Sequence, residues 1–185
     1  MSNYHNNWEI LSQEKVYDNP WISLFHHDVL NPSGNKGIYG KVHFKNLAIG
    51  IVPIDEKGFI HMVGQYRFVL QQYSLEIPEG GSPLGEDPLL SAMRELKEET
   101  GLEAQNWEKL MEMHLSNSVT DEKAIVYLAT GLKVGISEPE ESEKIDHFTI
   151  SFDEVYDKVI NGEITDAITV SAILRIKLLK MEGKI

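Results

Sequence analysis

The sequence has 185 residues, of which 42% are hydrophobic and 25% charged, as in an ordinary globular protein. Its formal charge of −12, from 29 acidic and 17 basic side chains, argues against nucleic-acid binding, which needs clustered Lys and Arg. Cysteine is absent, so disulfides and thiolate metal sites are excluded. The sequence shows neither a membrane-spanning apolar stretch nor a secretory leader, and we expect a cytoplasmic protein.

The first third of the sequence predicts β-strands. β-Forming residues occupy 15–17 and 21–30, and both runs are followed by turn residues. A nearly continuous apolar run at 48–54 predicts a strand buried on both faces. The segment 55–58 then predicts a hairpin loop that leads into a strand at 59–66.

The first strong helix signal follows a glycine-rich loop. Asp87 is a good N-cap, Pro88 suits the first turn and Gly101 suits the C-cap. Apolar residues recur between these ends at helical spacing. The predicted buried face consists of Leu89, Ala92, Met93 and Leu96.

The last third alternates between strands and helices. Ser151 and Glu154 form a capping-box pair before a helix that ends near Gly162. Such a mixture favours an α/β protein, an α/β/α sandwich with a mixed sheet. The other predicted elements are strands near 114–115, 123–128 and 147–150, and a final helix at 166–181.

Three carboxylates share one face of the first helix. Glu95 precedes Glu98 by three residues and Glu99 by four, so the three side chains lie together. Crowded carboxylates repel one another unless a cation relieves them. Hard oxygen donors select Mg²⁺, with Mn²⁺ as a possible substitute.

The complete segment has fixed spacing. It contains Gly80, Glu86, Arg94-Glu95-Leu96, Glu98-Glu99 and Gly101-Leu102, and it resembles the Nudix box at every defined position. The resemblance implies a Nudix fold and a metal-dependent hydrolase. Its implied metal ligands are Glu95, Glu98, Glu99 and Glu79 through its carbonyl, with Arg94 orienting a neighbouring glutamate. Arg94 and Glu98 are the implied catalytic residues on this helix.

Segments outside the box resemble the ADP-ribose and nucleoside diphosphate sugar pyrophosphatase branch of that superfamily. The resemblance implies that Arg67, Glu76, Gly80 and Glu122 bind substrate, with the Arg67 guanidinium on the diphosphate. Arg67 paired with a surface acid, and Glu76 bound to a backbone group, remain the alternatives. The similar segments are Gln65-Tyr66-Arg67, 74–80, Thr120-Asp121-Glu122 and 162–167.

An acidic loop at 138–143 corresponds to the loop that carries a glutamate base in the similar enzymes. The alignment places the base at Glu141 and a further metal contact at Glu143, with Glu140 the alternative base. The implied mechanism is an in-line attack of an activated water on one phosphorus. Its products are a nucleoside monophosphate and a sugar phosphate.

Two departures from the family pattern leave the substrate open between ADP-ribose and GDP-mannose. The usual Ala before the box glycine is Glu79 here, which adds a charge. The Pro found about fifteen residues beyond the box in many ADP-ribose enzymes is missing from 114–119.

The resemblance also implies a homodimer. Residues 1–40 are expected to form a β-rich dimerisation subdomain, and residues 41–185 the Nudix hydrolase domain. Trp8 would then contact the base of a substrate, although an ordinary core position is also open for this aromatic residue.

Two other functions remain open. One is a Nudix pyrophosphatase for a dinucleoside polyphosphate or a coenzyme. The other is a Nudix sensor that binds a nucleotide sugar without cleaving it. Retention of Glu95, Glu98 and Glu99 favours an enzyme.

Overall fold

The computed structural model describes residues 7–135 and 145–185. The chain divides into two compact units, Met1–Asn46 with Ser116–Glu122, and Leu47–Leu115 with Lys123–Ile185. These two units are defined by which residues lie close together, and they do not test the predicted domain boundary after residue 40. That boundary therefore stays a prediction. Within the described part of the chain, no helix is long and apolar enough to cross a membrane.

The first unit is built on an antiparallel three-stranded sheet in the order β1-β2-β3. Its strands are β1 (Glu9–Asp18), β2 (Ile22–Leu30) and β3 (Lys36–Phe44). Strand β1 is an edge strand of this sheet, and every one of its residues is exposed.

The segment Ser116–Glu122 returns to the first unit and pairs with β3. The Val42 N–H donates to the Val119 carbonyl (2.9 Å), and the Asp121 N–H donates to the Val42 carbonyl (3.2 Å). The Asp121 carboxylate also accepts a hydrogen bond from the Phe44 N–H (3.0 Å). Burial alone would raise the pKa of Asp121. The salt bridges from Lys41 and His43, together with the hydrogen bond from the Phe44 N–H, outweigh burial and lower that pKa to about 2.

The described residues of the second unit form two sheets and three helices. A four-stranded mixed sheet has the order β7-β4-β9-β8, and a three-stranded antiparallel sheet has the order β10-β5-β6. Strands β4 and β9 pair in parallel, whereas β8 and β9 pair antiparallel. The strands are β4 (Asn46–Pro53), β5 (Phe59–Arg67), β6 (Gln72–Glu76), β7 (Glu79–Pro83), β8 (Leu102–His114), β9 (Lys123–Val134) and β10 (Asp146–Ser151), and the helices are α1 (Pro88–Thr100), α2 (Phe152–Ile160) and α3 (Ala167–Met181).

The two faces of the four-stranded sheet bury different helices. On β4, Ile49 and Ile51 pack with α1, whereas Val52 packs with α2 and α3. Between them, a Cβ on Gly50 would lie 2.6 Å from the Ile168 side chain, so α3 requires bare backbone at this position. This layering confirms the predicted α/β/α sandwich with a mixed sheet.

The ends of α1 follow the local signals in the sequence. The Asp87 carboxylate accepts the Leu89 N–H (3.0 Å), and Gly101 takes the left-handed conformation (φ 71°). The predicted buried face is wrong at Met93, which is 40% exposed. Ser91 is buried instead, where its hydroxyl bonds the Ser82 hydroxyl of β7 (2.9 Å). The buried face is therefore rotated toward β7 by this polar contact.

The loop at 55–58 forms as predicted, but the strands on either side of it separate. Two backbone N–H groups donate to the Asp55 carboxylate, and Gly58 has φ 82°. Only a single antiparallel bridge, Ile54 to Ile60, joins the two strand ends. Beyond that bridge β4 enters the mixed sheet and β5 enters the antiparallel sheet.

Candidate active site

The acidic face of α1 is organised by one arginine. The Arg94 guanidinium donates from Nη1 to Glu98 and from Nη2 to Glu95, each at 2.7 Å. Nη2 also donates to the Gly81 carbonyl of β7 (3.1 Å). Arg94 thus fixes two predicted metal ligands and connects the helix to β7.

Gly80 makes room for one of these carboxylates. A Cβ on Gly80 would lie only 2.0 Å from Cδ of Glu95 and 2.2 to 2.4 Å from its oxygens. Burial raises the pKa of Glu95, while Arg94 opposes that shift. A side chain at position 80 would therefore displace the Glu95 carboxylate.

Glu99 turns toward the backbone of β7. Its Oε2 accepts a hydrogen bond from the Glu79 N–H at 2.9 Å. The predicted metal-binding carbonyl of Glu79 belongs to the same residue. Helix α1 and strand β7 are therefore joined by this side-chain-to-backbone hydrogen bond as well as through Arg94.

The side chain of Glu79 meets two residues that the sequence analysis did not include in the site. The Thr169 hydroxyl lies 3.4 Å from Glu79 Oε1 and accepts the Ile77 N–H (3.0 Å). Burial, followed by the neighbouring Asp166 carboxylate, raises the Glu79 pKa well above its ordinary value. The sequence motif at 162–167 could have indicated these two residues, because it contains Asp166. As the N-cap of α3, Asp166 accepts the Thr169 N–H (2.7 Å).

Arg67 and Glu76, both predicted to bind substrate, bind one another. The Arg67 Nε donates to both oxygens of Glu76, at 3.0 and 3.1 Å, and Nη2 adds a third hydrogen bond. This bonding raises the pKa of Arg67. Glu76 is only 2% exposed, so its carboxylate is directed to Arg67 instead of to solvent. The structure therefore shows the alternative in which Arg67 pairs with an acid. That acid is the buried Glu76 and not a surface residue.

Among residues 7–135 and 145–185, no group of three or more His, Cys, Asp or Glu side chains is gathered as a metal site. Arg94 bridges Glu95 and Glu98, and Glu99 faces the Glu79 N–H. The donor set still fits a hard divalent cation, because it offers only oxygen atoms. The lack of a side chain at Gly80 lets the Glu95 carboxylate occupy its position beside β7.

A cavity of about 430 Å³ lies beside α1 and β8. Its lining includes Met93, Arg94, Glu98 and Trp107. The cavity explains the exposure of Met93, because this side chain borders an open space. It also places an aromatic ring near the outer surface of the arginine–glutamate cluster.

The remaining predicted site residues fall in two places. Trp8 and Glu122 belong to the first unit, where Trp8 makes an edge contact with Tyr39 (5.5 Å between centroids) and is 42% exposed. Burial raises the pKa of Glu122. The two candidates for the base, Glu141 and Glu140, and the further metal contact predicted at Glu143 lie outside the described residues.

Comparison with known protein families gives two matches along the chain. Residues 44–168 match the NUDIX domain, and residues 8–42 match the nucleoside diphosphate sugar hydrolase N-terminal domain. A solved structure titled as an ADP compounds hydrolase superposes over all of both chains with a TM-score of 0.86. Its identity of 24% supports the fold alone.

Relatives of known name align along most of the chain. An ADP-ribose pyrophosphatase of Mycobacterium tuberculosis is 32% identical, covering 91% of this chain and 83% of that protein. An ADP-ribose pyrophosphatase of Bacillus subtilis is 31% identical and a methanol dehydrogenase activator of Bacillus methanolicus 32%, each covering 91% of both chains. With the α1 carboxylates, the Gly80 cradle and these matches together, the chain belongs to the Nudix hydrolase family.

Proposed function

We propose that this Nudix hydrolase cleaves the pyrophosphate bond of a nucleoside diphosphate sugar, giving a nucleoside monophosphate and a sugar phosphate. The observation that carries the proposal is the cluster of Arg94, Glu95 and Glu98 on α1, held against Gly80 and Gly81 of β7. The match of residues 8–42 to the N-terminal domain of nucleoside diphosphate sugar hydrolases supports this substrate class.

ADP-ribose is the first substrate to test. Two relatives that align along 91% of this chain carry the name ADP-ribose pyrophosphatase. GDP-mannose is the second, because the chain lacks the Pro expected near 114–119 and has Glu79 where Ala is usual. The two substrates share the diphosphate and differ in base and sugar, so one panel separates them.

We propose Mg²⁺ as the cation, held by Glu95, Glu98, Glu99 and the Glu79 carbonyl, with Glu143 as a further ligand. When bound, a divalent cation neutralises the diphosphate and lowers the pKa of water. The protein's own contribution is positional. Arg94 fixes Glu95 and Glu98, and Glu99 fixes the backbone at Glu79.

The proton of the attacking water passes in this proposal to Glu141 or Glu140. Both residues belong to the acidic segment 138–143 of the sequence, and an ionised carboxylate can accept a proton from water. Changing Glu140 and Glu141 to Gln, one at a time, separates the two: the true base loses activity at every pH, and its neighbour keeps most of it.

Arg67 orients the diphosphate with the guanidinium edge that does not face Glu76. The bidentate bond to Glu76 holds that guanidinium in one plane. Glu76 then acts on substrate through Arg67, as a positioning residue. Gly80 contributes by leaving the Glu95 carboxylate in place, and Glu122 and Trp8 are proposed contacts of the nucleoside part.

We also propose a homodimer that forms through the sheet of the first unit. Every residue of edge strand β1 is exposed, including Ile10 (60%), Val16 and Tyr17. Exposed apolar side chains of this number mark a contact surface. Multi-angle light scattering tests the dimer, and a molar mass near 21.0 kDa across a wide concentration range would exclude it.

The central test is a hydrolysis panel with Mg²⁺, in which products are separated by chromatography. The panel contains ADP-ribose, GDP-mannose, UDP-glucose, a dinucleoside polyphosphate and NADH. Release of a nucleoside monophosphate from one nucleotide sugar supports the proposal and names the substrate. Thermal stabilisation by a nucleotide sugar without any turnover would instead show a binding protein. Cleavage of the dinucleoside polyphosphate alone would show that nucleotide sugars are not the substrate class.

A further inference from the structure

Two histidines face each other across neighbouring strands of the three-stranded sheet, apart from the carboxylates of α1. His61 lies on β5 and His147 on β10, and β10 pairs with β5 so that Thr149 stands opposite His61. The Nδ1 atom of His61 is 3.0 Å from Nε2 of His147, and the two rings stack with an interplanar angle of 27°.

Two polar atoms converge on Nδ1 of His61. The Thr149 hydroxyl oxygen also lies 3.3 Å from Nδ1 of His61. A neutral imidazole nitrogen offers either one hydrogen or one lone pair, so it satisfies one of these two neighbours. A cation would instead accept lone pairs from both rings at once.

The spacing of the nitrogens matches metal ligation. In a tetrahedral zinc site with Zn–N bonds of about 2.0–2.1 Å, neighbouring ligand atoms are about 3.3 Å apart. The 3.0 Å between Nδ1 and Nε2 needs only a small ring movement to reach this separation. His147 is exposed and His61 partly exposed, so solvent or a buffer ligand has access to complete the coordination.

The local charge also favours a cation. Burial lowers the pKa of both histidines, and for His61 the neighbouring His147 adds to that effect. Both rings are therefore neutral at neutral pH, which is the form that binds metal. The Asp55 carboxylate acts on His61 in the opposite sense, as a nearby negative charge.

We propose that His61 and His147 form a second metal site, which binds a divalent transition metal such as Zn²⁺, Ni²⁺ or Cu²⁺ and is chemically distinct from the carboxylate site. Imidazole nitrogen prefers these ions, whereas Mg²⁺ prefers oxygen. A metal held by both rings cross-links β10 to β5. It therefore stabilises the start of β10, the strand that follows the acidic segment 138–143 in the sequence.

The test is a calorimetric titration with Ni²⁺ in excess Mg²⁺, which keeps the carboxylate site occupied by the hard ion. We expect one Ni²⁺ per chain, with affinity at least ~10-fold weaker in His61→Ala and in His147→Ala. The matched control is His114→Ala, because His114 is exposed at the end of β8, and its affinity should equal that of the unchanged chain. The melting temperature should rise with Ni²⁺ in the unchanged chain and in the control only.

Electron paramagnetic resonance of Cu²⁺ identifies the ligands directly. Couplings from two imidazole nitrogens are expected in the unchanged chain and from one in His147→Ala, whose exposed position makes it the safer variant for folding. The proposal is overturned if Ni²⁺ does not bind in excess Mg²⁺, or if binding is equal in the unchanged chain and both histidine variants. In that case the two rings form only a hydrogen-bonded pair.

Discussion

Two arginine–carboxylate groups in the second unit use the same chemistry in different surroundings. Around Arg94, the side chains of Glu95 and Glu98 keep 12% and 24% of their surface exposed, and Glu99 adds a further acid to the same helix. Around Arg67, the one bonded acid, Glu76, keeps 3% of its side-chain surface exposed. The α1 group therefore carries surplus negative charge within reach of solvent, whereas the β5–β6 pair is neutral and its carboxylate is buried.

This difference in exposure and charge predicts different roles for the Arg94 group and the Arg67–Glu76 pair. Surplus carboxylates on one helix face repel one another and attract a cation. A buried carboxylate with one cationic partner contributes little net energy itself, but removing one partner leaves an uncompensated charge. We expect substitutions on α1 to remove activity with little change in stability. Substitutions at the β5–β6 pair should lower stability in addition to disturbing the proposed orientation of the diphosphate by Arg67.

The sharpest test of the α1 group is Glu99→Gln. We expect turnover to fall by about 10²–10³-fold, the size of a lost electrostatic contact to the transition state, with an unchanged melting temperature. The fold should survive because the amide oxygen of Gln still accepts the Glu79 N–H. Glu108→Gln, at an exposed position on β8, is the control. Turnover of Glu99→Gln near the level of that control would refute the metal role of Glu99.

Gly80→Ala probes the same group by geometry alone. The new Cβ would lie within 2.4 Å of every atom of the Glu95 carboxyl group, so the carboxylate must move. A displacement of this kind costs up to ~10²-fold in rate. Gly40→Ala is the matched control, since a Cβ there meets nothing within 4 Å. Equal rates for the two alanine variants would show that the position of Glu95 does not limit turnover.

Glu76→Gln addresses the other side of the comparison. We expect a loss of about 2 kcal/mol in the free energy of unfolding, less than for a fully buried pair because Arg67 is 38% exposed. Urea denaturation measures this, with Glu56→Gln in the exposed loop after β4 as the control. A variant as stable as the control would mean that the two groups do not differ in the way described.

The smallest expected effect is at Glu79, and it has a defined pH dependence. Its folded-state pKa lies well above the ordinary glutamate value of 4.5, so the folded state binds more protons than the unfolded state above that pH. Its contribution therefore lowers stability as pH rises through 4.5 toward the folded pKa.

Glu79→Gln should accordingly be more stable than the unchanged chain at neutral pH, and equal to it in acid below that range. Thermal melts in a chelator, across that pH range, measure the gap. Glu86→Gln, on the exposed loop before α1, serves as the control. A difference in melting temperature between Glu79→Gln and the unchanged chain that grows in acid would contradict a raised pKa of Glu79.

Local signals in the sequence predicted the parts of the fold that depend on neighbouring residues. Asp87 and Gly101 fixed the ends of α1 because capping uses atoms within one turn. Strand β8 was predicted only at its last residues, although it runs from Leu102 to His114. As an edge strand it carries many polar residues, which weaken the strand pattern.

The contacts of the site depend on residues far apart in the chain. In the register of β5 on β6, the residue opposite Arg67 is Gln72. The hydrogen bonds of Arg67 go instead to Glu76, further along β6. The contact between Glu79 and Thr169 joins residues separated by 90 positions. Spacing predicted which carboxylates share α1, but the partner of each one required the packed structure.

The first unit is not continuous in the sequence, and this bears on how such chains can be shortened or recombined. A chain that began at residue 47 would keep Ser116–Glu122 but lose β3, so the Val119 carbonyl and the Asp121 N–H would lose their backbone partners on Val42. The side chain of Asp121 would lose Lys41 and His43 as well. Exchange of the amino-terminal strands between relatives therefore has to carry this short internal segment with them, as two separate inserts.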